Sequence, residues 1–300
     1  MPDFTTEIGK MGHLSDYLKR TENVMLARKE APELPITSMP ALNKKIWGLP
    51  KGKMTVVGAR TSQGKTSFVL QLAIDILMKG NSIHYFSFEM TKEQIVERIF
   101  CNMYKIDNYA LLSGKFTEYY SLWDDFKEQL SNLRIVMSND FGQSWKDIER
   151  FLDSLTVKPD VIIVDYIQAV AKASVEGKGF IDEYIRKFRE ICINHNIAGV
   201  IVSQLNRQTV SEGNNVPNLH NLKGSGFLEE LADLVILLEW TGKQQQKQDF
   251  IVNVAKNRNG RTGFIKVKYE AEYYKFSDFP VEDMEEKEKY EKFSKVGSND

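Results

Sequence analysis

Residues 54–67 read Met-Thr-Val-Val-Gly-Ala-Arg-Thr-Ser-Gln-Gly-Lys-Thr-Ser and precede an amphipathic stretch at residues 68–79. Residues 54–57 have the β-branched and apolar character of a buried strand, and residues 58–67 form a glycine-containing turn that leads into a helix. A strand, turn and helix in this order direct several backbone N–H groups, and the positive end of the helix dipole, toward one point. We therefore predict that residues 58–67, the phosphate loop, bind a nucleoside triphosphate.

Two side chains of the phosphate loop have direct roles in this prediction. Lys65 supplies a mobile positive charge for the β and γ phosphates, and the Thr66 hydroxyl is short enough to bind Mg²⁺ beside them. Ala59 stands where the usual pattern has its first glycine, and Gly58 supplies part of the missing flexibility. The alternative is a fortuitous Gly-Lys-Thr turn. With ATP and Mg²⁺ as the expected cofactors, the predicted binding residues are Ala59, Arg60, Thr61, Ser62, Gln63, Gly64, Lys65, Thr66 and Ser67.

The composition is that of a soluble globular protein without unusual bias. The chain has 300 residues, of which 42% are hydrophobic and 27% charged, and its formal net charge is -1. A nucleic-acid partner would therefore need a local basic surface, because the bulk charge does not predict one. The two cysteines have no metal-ligand spacing and the four histidines form no i, i+4 pair, so no zinc site is predicted. No apolar run has the length of a signal or membrane-spanning segment, and we expect a cytoplasmic protein.

The pattern of apolar runs predicts an α/β fold. Five strand-like runs, separated by stretches of helical periodicity, lie at residues 54–57, 83–88, 133–137, 161–164 and 199–202. Continuous apolar strands that alternate with helices are typical of a parallel sheet covered on both faces. Three further runs with only short connections lie at residues 234–239, 250–255 and 264–269. They predict an antiparallel edge on the sheet.

Three regions differ in character along the chain. Helical periodicity at residues 14–30, followed by several prolines, predicts that residues 1–35 carry a docking helix on a linker. Residues 36–275 contain all the predicted strands and form the core domain. Residues 276–300 are rich in Glu and Lys, which predicts a charged tail that is a solvated helix or disordered.

Polar side chains at the ends of three predicted strands complete a candidate site for ATP hydrolysis. Asp165 follows the run 161–164, and the carboxyl edge of a parallel sheet would place it beside the phosphate loop, where it can hold Mg²⁺. Glu89 ends a strand that we expect to neighbour the phosphate-loop strand, so its carboxylate can accept a proton from water. Gln204 follows the run 199–202 and can sense the γ phosphate through a hydrogen bond. The alternatives are a strand-end cap for Asp165, a helix-capping acid for Glu89 and a satisfied polar strand end for Gln204.

Five short segments follow one another in an order typical of a known family. They read Gly-Ala-Arg-Thr-Ser-Gln-Gly-Lys-Thr at residues 58–66, Phe-Ser-Phe-Glu-Met at 86–90, Val-Asp-Tyr-Ile-Gln at 164–168, Ser-Gln-Leu-Asn-Arg at 203–207 and Lys-Asn-Arg-Asn-Gly at 256–260. In their order and spacing, residues 36–270 resemble the DnaB-type replicative helicases of the hexameric, RecA-fold helicase superfamily. The resemblance implies a RecA-like P-loop NTPase fold over residues 36–275.

The resemblance also implies roles for individual residues. In such helicases the glutamate that matches Glu89 activates water, the aspartate that matches Asp165 holds Mg²⁺ through water, and the glutamine that matches Gln204 couples the γ phosphate to DNA loops. Lys256 and Arg258 would act on the ATP of the neighbouring subunit. Without the resemblance, these two residues would be interpreted as ordinary solvated strand charges.

The chain departs from the family pattern in two places. The family has an N-terminal collar domain that contacts primase, whereas residues 1–35 precede the core here. The helix at residues 14–30 resembles the family's linker helix, which packs on the adjacent subunit, so ring formation is expected. In the second DNA loop the family reads Leu-Arg-Glu-Ser-Gly, whereas residues 222–226 read Leu-Lys-Gly-Ser-Gly. Lys223 retains a charge that can bind a phosphate.

Two polar, glycine-containing segments, residues 172–179 and 207–226, follow the strands that end at Asp165 and Gln204. In a RecA-type ring such loops project into the central channel, where they can follow a nucleic-acid backbone without reading its sequence. The alternative is that they are mobile surface loops. The candidate DNA-binding residues are Lys172, Lys178, Arg207, Lys223, Gly224 and Gly226.

These expectations combine into one leading hypothesis and two alternatives. The leading hypothesis is an ATP-dependent helicase that forms a homo-hexameric ring and moves on single-stranded DNA during replication, with primase or a helicase loader as a partner. The first alternative is an ATP-binding switch or assembly factor on the same fold, such as a loader or recombination ATPase, that does not unwind DNA. The second is a RecA-type strand-exchange filament, which the segments at residues 203–207 and 256–258 argue against.

Overall fold

The computed structural model describes residues 14–27, 34–138, 144–172, 178–205, 218–222, 226–240 and 249–279. The chain divides into two compact units, residues 1–33 and 34–300. In the first unit, the described element is helix α1, Leu14–Ala27. The helix predicted at residues 14–30 is confirmed as far as Ala27, and residues 28–30 lie outside the described ranges.

Several helices of the second unit begin at side chains that cap their N-termini. Thr91 and Gln94 form a capping box, in which each side chain accepts a hydrogen bond from the backbone N–H of the other residue. Ser144 and Asp147 form the same arrangement. The helices are α2 (Pro40–Ile46), α3 (Lys65–Leu77), α4 (Lys92–Tyr104), α5 (Asn108–Leu112), α6 (Tyr120–Ser131), α7 (Trp145–Ser154), α8 (Ile167–Lys172), α9 (Lys178–His195) and α10 (Gly226–Leu231). No helix in the described part of the chain is long and apolar enough to cross a membrane.

A nine-stranded sheet forms the centre of the second unit. The strands are β1 (Met54–Ala59), β2 (Ser82–Ser87), β3 (Arg134–Ser138), β4 (Val161–Asp165), β5 (Ala198–Gln204), β6 (Leu234–Trp240), β7 (Asp249–Asn257), β8 (Gly263–Glu270) and β9 (Lys275–Asp278). Their order across the sheet is β3-β2-β4-β5-β1-β6-β7-β8-β9. The strands from β3 to β6 in this order are parallel, and β7, β8 and β9 are each antiparallel to the preceding strand. The predicted α/β class, with a mainly parallel sheet and an antiparallel edge, is confirmed.

Side chains of the central strands alternate between two buried clusters. In β4, Val161 and Ile163 pack on one face of the sheet, whereas Ile162 and Val164 pack on the other. Helices α3 and α4 cover the first face, and α7 and α9 cover the second. Because both faces are covered, the strands must be apolar on both sides, which explains their continuous apolar sequences.

The order of the strands differs from one expectation. Strand β2, which precedes Glu89, pairs with β3 and β4 and is not paired with β1. The expectation that these two strands are neighbours is wrong. The connection through α3 carries the chain past two strand positions, which β5 and β4 fill later in the sequence.

Strand β9 was not predicted from the sequence. It has 4 residues, which is too short for a clear alternation of apolar and polar positions. Nevertheless it pairs with β8 and contributes the fully buried Phe276 to the core. The sheet therefore continues to Asp278, beyond the predicted domain boundary at residue 275.

Candidate nucleotide site

The phosphate loop lies between the carboxyl end of β1 and the first turn of α3. Gly64 precedes α3 with a φ angle of 65°, in the left-handed region that favours glycine. A Cβ atom here would lie 3.3 Å from the Phe276 ring and 3.4 Å from the Tyr269 ring. The turn therefore requires glycine, and it leaves the first N–H groups of α3 directed toward the loop.

Lys65 is the first residue of α3, and its Nζ atom donates a 3.0 Å hydrogen bond to the Arg60 carbonyl within the loop. Burial lowers the pKa of Lys65, while the carboxylates of Asp165 and Glu89 act in the opposite direction. The lysine and the two acids, which the sequence analysis proposed from separate segments, are therefore within electrostatic range of one another.

Asp165 is the last residue of β4 and is 3% exposed. Its Oδ2 atom accepts a 2.6 Å hydrogen bond from the Tyr85 hydroxyl. Its Oδ1 atom is buried and has no hydrogen-bond partner among the described residues. Burial raises the pKa of Asp165, and the hydroxyls of Tyr85 and Thr66 oppose this shift. One carboxylate oxygen is therefore fixed, and the other is available to a ligand.

The Oδ1 atom of Asp165 and the nearby Thr66 hydroxyl fit a hard divalent cation such as Mg²⁺. This ion prefers oxygen ligands, and in nucleotide sites the protein supplies only one or two of them, because phosphate oxygens and water complete the shell. The described residues contain no group of three or more His, Cys, Asp and Glu side chains that could hold a metal ion.

Glu89 is exposed and lies two residues beyond the end of β2. The register of β2 with β4 pairs Ser87 with Asp165, and the Phe88 N–H donates a 2.8 Å hydrogen bond to the Asp165 carbonyl. This pairing brings Glu89 close to Asp165 at the carboxyl edge of the sheet. The pairing of β2 with β4 therefore places Glu89 within electrostatic range of Lys65 in the phosphate loop, although β2 and β1 are not neighbours.

Gln204 connects the end of β5 to the phosphate loop. Strand β5 pairs with β1, and the register places Gln204 beside Ala59. The Gln204 amide donates a hydrogen bond to the Thr61 hydroxyl, and its backbone N–H donates one of 3.0 Å to the Gln168 side chain. Gln204 therefore contacts the phosphate loop directly from the end of β5.

Lys256 and Arg258 lie at the opposite end of the sheet from the phosphate loop. In the sheet, Asn257 pairs with Leu234, and Leu234 pairs with Thr55 near the beginning of β1. The loop begins at Gly58, three residues later, which corresponds to roughly 10 Å along a strand. Neither cation is therefore placed to act on the phosphate loop of its own chain.

Backbone carbonyls in the last turn of α10 accept hydrogen bonds from both Lys256 and Arg258. The Lys256 Nζ atom donates hydrogen bonds to the carbonyls of Glu229 and Glu230, at 2.6 Å and 3.0 Å. Arg258 donates to the Glu230 carbonyl at 2.8 Å and forms an ion pair with Asp233 at 3.4 Å. Burial lowers the pKa of Lys256, and the adjacent positive charge of Arg258 lowers it further.

The structure places only part of the predicted DNA-binding set. Lys172 ends α8, Lys178 begins α9 and Gly226 begins α10. The remaining candidates lie outside the described residues, and they are Arg207, Lys223 and Gly224. An isolated antiparallel bridge joins Leu205 and Leu222, so the chain leaves and returns beside the carboxyl end of β5. The segment between these leucines thus starts and ends next to Gln204.

A profile of the family described as the DnaB-like helicase C terminal domain matches residues 36–278. The chain belongs to this family. Among related proteins, the replicative DNA helicase DnaB of Helicobacter pylori is 23% identical, over 90% of this chain and 65% of the relative. The replicative DNA helicase DnaB of Geobacillus stearothermophilus is 26% identical, over 89% of this chain and 62% of the relative. The chain thus spans less than two thirds of the length of these DnaB proteins.

Solved structures of DnaB-like proteins share the fold. The ATPase domain of G40P matches with a TM-score of 0.80 at 21% identity, over 90% of this chain and 99% of that domain. A DnaB-like replicative helicase, studied together with its interactions with primase, matches with a TM-score of 0.77 at 21% identity, over 90% of this chain and 67% of that one. The RecA-like fold implied by the sequence is therefore confirmed.

Two residues of this DnaB-like domain were missed by the sequence analysis. One is Tyr85, because an aromatic residue inside an apolar strand has no pattern that distinguishes a polar contact from core packing. The other is Glu239, which lies beside the phosphate loop because Leu238 pairs with Ala59. Burial raises the pKa of Glu239 to about 7, Arg60 opposes the shift, and the Oε2 atom has no hydrogen-bond partner among the described residues. The one sequence signal for Glu239 is the presence of an acidic residue within an otherwise apolar strand.

Proposed function

We propose that this chain is an ATP-hydrolysing motor domain that moves on single-stranded DNA as part of a homo-hexameric ring during DNA replication. The observation that carries the proposal is the grouping of Lys65, Asp165 and Glu89 at the phosphate loop. Membership of the DnaB-like family supports the same function. ATP would be the substrate and Mg²⁺ its companion cation.

Each residue at the loop has a distinct role in this proposal. Lys65 and the N–H groups at the start of α3 bind the phosphates, and Thr66 and Asp165 hold Mg²⁺. When bound, the cation neutralises charge on the phosphate oxygens. Glu89 is exposed and can accept the proton of an attacking water. Gln204, which already contacts Thr61, would respond to the presence of the γ phosphate.

The position of Lys256 and Arg258 supports a site that is shared between two subunits. A phosphoryl-transfer site needs a cation for the charge that develops in the transition state, and this cation can come from a neighbouring chain. Arg258 lies away from its own phosphate loop but is partly exposed, with 42% of its side chain accessible. Head-to-tail contact between copies would bring Arg258 of one to the loop of the next, and such contacts form a ring when the rotation between copies closes.

The DNA-binding part of the proposal rests on the segments after β4 and β5. Lys172, Lys178, Arg207 and Lys223 would pair with phosphates of a single strand, while Gly224 and Gly226 allow the backbone to approach closely. Both segments follow strands whose last residues, Asp165 and Gln204, lie beside the phosphate loop. Primase or a helicase loader is the protein partner that we propose, and the cytoplasm is the proposed location.

The direct test combines ATP turnover with strand displacement on a forked duplex. The proposal expects turnover that rises when single-stranded DNA is added, displacement of one strand, and loss of both in Lys65→Ala. Lys79→Ala is the matched control, because Lys79 is exposed after the last turn of α3, at the end of that helix away from the phosphate loop. DNA-stimulated turnover without displacement would favour the ATP-binding switch instead. Turnover near normal in Lys65→Ala would remove the phosphate-loop assignment.

A further inference from the structure

The Tyr85 hydroxyl is a buried polar group that contacts the proposed metal ligand. Tyr85 lies in β2, is fully buried, and its ring belongs to the core cluster that includes α3. In the register of β2 with β4, Tyr85 pairs with Ile163, so Asp165 is the next residue along β4 on the same face. The long tyrosine side chain spans this diagonal and donates its 2.6 Å hydrogen bond to Oδ2 of Asp165.

A buried hydroxyl is costly unless it has a hydrogen-bond partner, and a buried carboxylate costs more. Here the Tyr85 hydroxyl has a partner, and so does one of the two oxygens of Asp165. Of the two oxygens of Asp165, Oδ2 is held by Tyr85, and Oδ1 has no partner among the described residues. A single donor that binds one oxygen fixes the rotation of the carboxylate, and the other oxygen is then presented in a constant direction.

We propose that Tyr85 is a positioning residue, which holds Oδ2 of Asp165 so that Oδ1 is presented beside Thr66 to a divalent cation. This inference rests on the proposed function, since it assumes that Asp165 serves the cation of a bound nucleotide. Hydrogen bonds to metal ligands orient them, and the loss of such a bond typically weakens metal affinity by about 10- to 100-fold. Tyr85 thus acts through Asp165 and does not itself touch nucleotide or metal.

Tyr85→Phe removes the hydroxyl and keeps the ring in the core. Without this donor, Oδ2 of Asp165 loses its hydrogen bond, and the Thr66 hydroxyl remains as a neighbouring donor. We expect the carboxylate to rotate toward other donors and to bind the cation more weakly. Tyr184→Phe is the matched control, because Tyr184 is also fully buried but lies in α9, in the core cluster on the other face of the sheet.

The probe is Mn²⁺ together with a fluorescent ADP analogue. The affinity for the analogue is measured with Mn²⁺ and with a chelator, and the ratio is the gain that the metal provides. We expect Tyr85→Phe to reduce this gain by about tenfold or more and to leave the affinity in the chelator unchanged. Tyr184→Phe should keep the full gain. Thermal unfolding of each variant verifies that the protein is folded.

A double-mutant comparison tests whether Tyr85 acts through Asp165. Asp165→Asn should reduce the gain by itself, and adding Tyr85→Phe to it should reduce the gain no further. A full gain in Tyr85→Phe overturns the inference. Loss of folding in Tyr85→Phe but not in Tyr184→Phe also overturns it, because the hydroxyl would then serve the core. If the wild-type chain binds no ADP analogue at all, the proposed nucleotide function is wrong. That result is distinct from a failure of the inference about Tyr85, which requires a wild-type chain that binds the analogue.

Discussion

The two ends of the parallel sheet hold their charged groups in different ways. At the carboxyl end, Lys65, Asp165 and Glu89 from three separate segments meet at the phosphate loop. At the amino end, Lys256 and Arg258 are held by carbonyls near α10 and contact no part of that loop in the described residues. In the proposed function, the groups at the carboxyl end bind a nucleotide within the chain. In the same proposal, the cations at the amino end act on the nucleotide of a neighbouring copy.

Strand β6 shows the same contrast between two buried acids. Asp233 precedes β6 at the amino end, where Arg258 lies 3.4 Å away and Arg189 lies 3.7 Å away. Glu239 lies at the carboxyl end of β6, and its Oε2 atom has no hydrogen-bond partner among the described residues. Buried polar groups in folded proteins nearly always have a hydrogen-bond partner. A buried group that lacks one can lie beside a ligand site, where the ligand would supply the partner. Asp233 is thus paired with charged groups of its own chain, whereas one oxygen of Glu239 has no hydrogen-bond partner among the described residues.

The strongest test of the shared site uses Arg258→Ala. Removal of a cation that is supplied in trans typically costs about a thousandfold in turnover. We therefore expect Arg258→Ala to fold, to bind ATP through Lys65 and to lose turnover by about that factor. Arg261→Ala is the matched control, because Arg261 is exposed in the same turn between β7 and β8.

A mixture of two inactive variants tests whether the two ends of the sheet, from different subunits, form one site. Arg258→Ala and Lys65→Ala should each be inactive alone. A mixed assembly contains interfaces where an intact phosphate loop faces an intact arginine, so some ATPase activity should return when subunits exchange. If an affinity tag on one variant co-purifies the untagged other variant and no activity returns, the two ends do not form a site by simple pairing. Normal turnover in Arg258→Ala alone would contradict the assignment of Arg258 to the ATP of the neighbouring subunit.

Glu89→Gln tests the carboxyl end by itself. The amide keeps the size of the side chain but cannot accept a proton, and the loss of a general base typically costs about a hundredfold in rate. ATP binding should remain, because Lys65 and the phosphate loop are unchanged. Single-turnover hydrolysis measures the chemical step, and Glu93→Gln on the exposed start of α4 is the control. If Glu89→Gln hydrolyses ATP normally, another group is the base.

Much of the carboxyl end could be predicted from the sequence, because its signals are local. The phosphate loop and the strand-end positions of Asp165 and Gln204 follow from short segments and from the geometry of parallel strands. The neighbour of β2 could not be predicted, because strand order depends on where distant segments insert. The hydrogen bond between Tyr85 and Asp165 was hidden for the same reason. It depends on the pairing of β2 with β4, which no local pattern encodes.

Glu239 gives a prediction about stability that depends on pH. Burial raises the pKa of Glu239 to about 7 from its ordinary value of 4.5, and it is 7% exposed. The folded chain therefore keeps this proton at pH values where the unfolded chain has lost it, so the group reduces stability as pH rises from 4.5 to about 7. Glu239→Gln should remove the penalty, which is on the order of 1–3 kcal/mol at neutral pH.

Urea unfolding at several pH values measures this effect. The free energy of unfolding of Glu239→Gln, relative to wild type, should increase from pH 4.5 toward pH 7 and then remain constant. Glu149→Gln, on the exposed face of α7, should show no such trend. A difference that does not depend on pH would mean that Glu239 is ionised in the folded chain, held by Arg60. Such a result would make the two acids at the ends of β6 alike.

The smallest expected effect concerns Lys223, which the sequence places in the segment after Gln204. If Lys223 pairs with one phosphate of a single strand, Lys223→Ala should weaken binding about equally on unrelated sequences and reduce the salt slope by about one unit. Fluorescence anisotropy with two unrelated oligonucleotides at several salt concentrations measures both quantities. Lys79→Ala removes the same charge at the amino end and should leave the slope unchanged. An equal change in both variants would mean that DNA binding depends only on the net charge of the chain. Lys223 would then not bind a phosphate at a defined position beside the carboxyl end of the sheet.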